Sequence, residues 1–246
     1  MSHANTRSLE LVFGNASERV CIASAVEDSD QDFLSQREKT TFEALRFAAK
    51  RTSFLIGRLA AKRALAELLE EPDLRRIEIR SGIYGQPLVV HPRAGALAVS
   101  VTHSHGLALA IAFPSAVPMG IDLETASAMS KDAVRAVTGE LQCSAAESAW
   151  LAGRSVDAAT ACALLWTARE ALGKSLCVGV NSPLGLLALS EVRAAGLSAR
   201  EASGWRGGYL NFPRCQWIGE VEDGRVWSLA LPLKARLGAR LSLPFV

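Results

Sequence analysis

Two short acidic patterns are the first places where residue type and spacing point to chemistry. In Pro118-Met119-Gly120-Ile121-Asp122-Leu123-Glu124, apolar and acidic residues alternate. Successive side chains of a strand point to opposite faces, so Asp122 and Glu124 share one face while Ile121 and Leu123 take the other. Carboxylates this close repel unless a cation lies between them. Hard oxygen donors of this kind suit magnesium, which shares its shell readily with phosphates. Read alone, the same alternation is better explained by a solvated edge strand.

The second pattern is Trp166-Thr167-Ala168-Arg169-Glu170-Ala171-Leu172-Gly173-Lys174. On a helix, Trp166, Glu170 and Lys174 recur every four residues and form one stripe. A carboxylate and an ammonium then sit side by side, which is also the spacing of an ordinary surface ion pair.

Other groups can approach an anion. His103 and His105 flank Ser104 beside Thr102, placing imidazoles and hydroxyls together where two strands meet. The His-x-His pair also raises zinc, but no third histidine is well placed to complete a tetrahedral set. Lys50, Arg51, Arg58, Lys62 and Arg63 give one helix a cationic stripe, suited to a phosphate or simply to solvent.

The elements that must position these groups follow from periodicity. Arg51 to Glu70 is rich in Ala and Leu with helical spacing and is stopped by Pro72. Strands are expected at Arg75 to Arg80, Ala96 to Thr102 and Leu107 to Phe113, with a glycine-rich turn from Gly82 to Pro87. The second half reads alike. A helix over about Thr160 to Leu176 precedes strands near Leu184 to Val192, Gln216 to Val221 and Val226 to Leu231, the last two joined at Glu222-Asp223-Gly224. Ser144-Ala145-Ala146-Glu147 reads as a capped helix start. The expected class is α+β. Two halves, 1–116 and 117–246, would each hold a helix and a three-stranded antiparallel sheet, with a ligand cleft between them.

Composition narrows the function. The chain has 246 residues, 49% of them hydrophobic, enough for a sizeable core. Apolar runs such as Leu107 to Phe113 are too short to span a membrane, and the polar start carries no apolar signal region, so a cytoplasmic protein is expected. A net charge of +2 with 6% aromatic residues gives little footing for nucleic acid. Five cysteines without a Cys-x-x-Cys pair suggest reduced thiols rather than disulfides or a thiolate metal site.

Taken in order, several motifs together resemble the Sfp-type 4′-phosphopantetheinyl transferases. They are Arg51…Gly57-Arg58, Gly82-x-x-Gly85-x-Pro87, Val99-Ser100-Val101-Thr102-His103-Ser104, Gly120-Ile121-Asp122-Leu123-Glu124 and Trp166-x-x-Arg169-Glu170-Ala171-x-x-Lys174. The resemblance runs from about Arg51 to Lys174 and implies a pseudo-twofold pair of α+β halves. It also implies an activity, the transfer of phosphopantetheine from coenzyme A to a serine of an acyl or peptidyl carrier protein, with release of adenosine 3′,5′-bisphosphate. By that resemblance Asp122, Glu124 and Glu170 hold magnesium, Glu170 is the base for the serine, and Lys174 assists the leaving phosphate. Thr102, His103 and Lys174 meet the cofactor's phosphates, Arg51 and Arg58 hold its 3′-phosphate, and Glu147 is a further acid near the metal. A monomer is expected.

The sequence departs from the family pattern twice. Arg169 stands where the family usually has lysine, and Gln86 stands where many relatives carry lysine. These departures motivate an alternative, a catalytically silent relative that binds a carrier protein or nucleotide as a scaffold. A metal-dependent phosphohydrolase would use the same carboxylates but needs further acids that the sequence does not supply.

Overall fold

The computed structural model describes residues 5–26, 30–129, 132, 134–135, 143–154, 156–178, 182–195 and 204–238. They fall into two compact units. The first comprises Met1–Pro118 with Lys234–Val246, and the second Met119–Leu233. Both are mixed α and β with antiparallel sheets. No described helix is long and apolar enough to cross a membrane.

The first unit opens with strands β1 (Thr6–Phe13) and β2 (Ala16–Val26), continues through helices α1 (Gln36–Glu43) and α2 (Ala48–Leu69), then a small hairpin β3 (Glu78–Ser81) and β4 (Pro87–Val90), and ends in β5 (Leu97–Ser104) and β6 (Leu107–Pro114). The closing strand β12 (Ala235–Leu237) returns to β1, giving a five-stranded order β12-β1-β2-β6-β5. The Ala- and Leu-rich α2 lays Leu55, Leu59, Ala60, Ala64 and Leu65 against β2 and β6. It stops where Glu70 adopts φ 50° ahead of Pro72, which cannot continue a helix.

The second unit shares part of this plan. β7 (Gly120–Thr125) leads to helices α3 (Ala145–Gly153) and α4 (Ala158–Ser175), then β8 (Arg193–Ala194), β9 (Gly204–Gly208) and the hairpin β10 (Cys215–Glu222) with β11 (Arg225–Pro232). The sheet order is β7-β11-β10-β9-β8. In each unit one strand precedes a helix pair and then joins the second strand of a later hairpin. Both hairpins close on two residues of positive φ, His105-Gly106 (46°, 77°) and Asp223-Gly224 (49°, 73°), the twist that short antiparallel turns favour.

Three expectations need correction. The main sheet of each unit has five strands, not three, because β1, β2 and β12 extend the first and β8 and β9 the second. The stretch Arg75 to Arg80 is strand only from Glu78, since Asp73 caps a 3₁₀ turn at Leu74–Arg76, and β3 pairs with β4 apart from the main sheet. Leu184 to Val192 is a 3₁₀ turn at Leu184–Leu187 followed by a single bridge, Leu189 to Tyr209. A short apolar run carries no periodicity that separates strand from buried turn.

A buried ion pair recurs in both units. Ser35 caps α1 and Glu38 completes a capping box. The Glu38 carboxylate then accepts from Lys62 Nζ of α2 at 2.5 Å and from the Ile79 amide at 3.1 Å. Ser144 caps α3 with Glu147 in the same role, and Glu147 accepts from Arg169 of α4 and from the Leu189 amide at 3.0 Å. Lys62 is fully buried, so the expected cationic stripe of α2 is not a solvated face at this position.

Removing one partner of such a pair strands a charge in the core, at about 3–5 kcal/mol. Lys62→Met is therefore expected to lower unfolding stability by about that amount. Urea unfolding checks this, and a loss below about 1 kcal/mol would contradict it.

Candidate functional site

The second unit brings Asp122, Glu170 and Lys174 together. β7 runs against α4 at Gly120, where an added Cβ would lie 2.0 Å from the Ala171 carbonyl oxygen. Only glycine permits that approach. Asp122 and Glu124 follow at two-residue steps on the face that Gly120 turns to the helix. Lys174 Nζ donates to Asp122 Oδ1 at 2.6 Å, and its side chain is 25% exposed against 6% for Asp122.

Glu170 is buried on α4, and its Oε1 has no hydrogen-bond partner among the described residues. Burial first, and then the charge of Asp122, push its carboxyl up to about 7, with Glu124 adding to the rise and the Lys174 ammonium opposing it. A buried orphan carboxylate oxygen beside two further acids is a donor set that fits a hard divalent cation. Among the described residues, however, no group of three His, Cys, Asp or Glu is gathered closely enough to hold an ion as it stands. Lys174 supplies the positive charge at Asp122 instead.

The first unit holds the other expected residues. Thr102 is buried in β5 and His103 is exposed beside it, paired across the ladder with Ala108. Arg51 stacks over the Phe42 ring at 4.0 Å and donates to the carbonyls of Phe42 and Leu45. Arg58 covers the Phe54 ring at 4.7 Å and pairs with Glu38 at 3.6 Å. Both arginines thus tie α2 to α1.

The structure accounts for both departures from the family pattern. Arg169 forks onto Glu147, with Nε to Oε1 at 3.0 Å and Nη2 to Oε2 at 2.7 Å, both side chains fully buried. Glu147 is thereby committed to this pair and its cap. Gln86 folds into its own turn, its side-chain oxygen accepting from the Tyr84 amide at 3.0 Å. The anchoring partners Tyr209 and Ser228 carry no sequence signal. They lie 41 and 61 residues from the α4 atoms they hold, and nothing local marks them.

The geometry of this unit is that of a carboxylate site fed by one strand and one helix. Residues 118–225 match the family model of the 4′-phosphopantetheinyl transferase superfamily, in agreement with the resemblance read from the sequence. That segment contains Asp122, Glu124, Glu147, Arg169, Glu170 and Lys174. No curated protein matches the chain. The superfamily's name denotes transfer of a 4′-phosphopantetheinyl group.

The raised Glu170 carboxyl sets the sign of a pH effect. Its native value of about 7 exceeds its ordinary 4.5, so the native state binds more protons between these values and stability falls as pH rises through them. Glu170→Gln removes that loss. In metal-free buffer the melting temperature of the variant is expected to match wild type near pH 5 and exceed it at pH 8. A difference that does not change with pH would refute the assignment.

Proposed function

We propose that this protein transfers 4′-phosphopantetheine from coenzyme A to a serine of an acyl or peptidyl carrier protein. The observation that carries the reading is Glu170. It is a buried carboxyl with an affinity for protons near neutrality, set beside Asp122 and Lys174 inside the segment that matches the superfamily.

In this reading Asp122, Glu124 and Glu170 hold a magnesium ion. When bound, the ion supplies charge neutralisation at the coenzyme A diphosphate. The carrier serine oxygen attacks the phosphorus next to the pantetheine, forming a phosphoester as the bond to the adenosine phosphate breaks. Glu170 takes the serine proton, directly or through water. Lys174, whose ammonium donates to Asp122 at 2.6 Å, would turn to the leaving adenosine 3′,5′-bisphosphate once the metal neutralises Asp122. Thr102 and His103 are the first unit's candidates for the cofactor's phosphates. Arg51 and Arg58, which the resemblance assigns to the 3′-phosphate, would have to serve it while retaining Phe42 and Glu38 as partners.

The test is incubation with coenzyme A, magnesium and a panel of apo carrier proteins, read by mass spectrometry. Wild type is expected to add one phosphopantetheine to a serine of at least one carrier. Glu170→Gln and Lys174→Ala should each lower turnover by at least about 10²-fold, the scale of general acid–base assistance. Failure to modify any carrier, with a coenzyme A-dependent rise in melting temperature retained, would replace this reading with the scaffold alternative. Wild-type turnover by Glu170→Gln would remove Glu170 as base.

A further inference from the structure

Five consecutive residues of α4 meet different neighbours, and the candidate base lies among them. Thr167 Oγ1 is 2.8 Å from Ser228 Oγ of β11. The Tyr209 hydroxyl donates to the Ala168 carbonyl at 2.7 Å. Arg169 forks onto Glu147, and the Ala171 carbonyl lies under Gly120 of β7. Glu170 alone in this run keeps a buried oxygen without a hydrogen-bond partner among the described residues.

The Arg169 tether differs from the others in kind. Two parallel charge-assisted bonds fix direction as well as distance. Their acceptor is itself held on three sides, since Glu147 also receives the Ser144 amide at 2.7 Å and the Leu189 amide at 3.0 Å. Arg169 and Glu170 project about 100° apart around the helix. Whatever fixes the rotation of α4 at Arg169 therefore fixes the direction of the Glu170 carboxylate. A rotation of about 20° moves a side-chain end, at a radius of about 5–6 Å, by about 2 Å. That equals a whole magnesium–oxygen bond of about 2.0–2.1 Å.

We propose that Arg169 is a positioning residue: its bidentate pair with Glu147 sets the rotation of α4 that presents the Glu170 carboxylate to Asp122 and Glu124 for a divalent cation. The inference rests on the proposed function. The first unit supplies an internal control, because Lys62 and Glu38 form the same buried pair on the same kind of frame. Breaking either pair costs folding stability; breaking Arg169–Glu147 should in addition cost metal affinity.

The experiment measures Mn²⁺ binding by electron paramagnetic resonance in the presence of coenzyme A, on the full chain well below each variant's melting temperature. Arg169→Met is expected to weaken Mn²⁺ binding by about 10–100-fold, the usual range when a supporting partner of a metal ligand is lost. Glu147→Gln tests the same tether should Arg169→Met fail to fold, and should weaken binding in the same direction. Arg169→Lys should recover most of the affinity, as an ammonium suffices at Lys62. Lys62→Met should bind Mn²⁺ as wild type does despite its lower stability. Wild-type affinity in Arg169→Met or Glu147→Gln, or an equal loss in Lys62→Met, would overturn the proposal while leaving the proposed function standing. Absence of Mn²⁺ binding by wild type would overturn both.

Discussion

The structure of each unit depends on one buried carboxylate. Glu147 is fully excluded from solvent, so its charge is tolerable only if every donor around it is in place. Those donors come from three separate segments: the start of α3 through the Ser144 amide, the middle of α4 through Arg169, and the stretch beyond α4 through the Leu189 amide. A pair buried this deeply adds little net stability over an apolar packing, yet losing any one donor is costly. It joins the three segments at one point in the core. Glu38, with Ser35, Lys62 and Ile79, does the same in the first unit.

On this repeated frame the difference between the units reduces to a few side chains. Aligning the two hairpins at their turns sets Ala110 against Ser228 and Ala108 against Val226. The strand partners of these residues are Ala23 and Ala25 in one unit, and Asp122 and Glu124 in the other. Where the second unit places its carboxylates, the first therefore places buried alanines that pack into its core. A frame braced by its own ion pair can carry either set. In the second unit burial, with the charge of the acidic set added to it, raises the proton affinity of the helix carboxyl Glu170 to about 7.

Much of the second unit was legible because its signals are local. The alternation at Asp122 and Glu124, the stripe of Glu170 and Lys174, the capping box at Ser144 and the turn at Asp223-Gly224 all lie within a few residues. The N-terminal strands were not legible. Val20 to Ala25 of β2 is buried without interruption, so it lacks the alternation that marks a half-exposed strand. Arg58 and Lys62 looked like a solvated stripe because Glu38, which neutralises them, is 20 or more residues away in the chain. Pairings between distant residues leave no periodic trace.

The same distinction governs the two departures from the family pattern. Side by side in the sequence, Arg169 and Glu170 invite the conclusion that exchanging lysine for arginine disturbs catalysis. On a helix, neighbours in sequence face different partners, and here the guanidinium turns into the core while the carboxylate turns to β7. The first unit satisfies the matching glutamate with a lysine, so that position requires a buried cation and accepts two chemistries. Gln86 likewise spends its side chain closing its own turn. Neither departure removes a member of the acidic set or Lys174, so the chemistry of this fold is set by which side chains the tethers aim at one point. The tethers themselves can vary, provided that each one still holds.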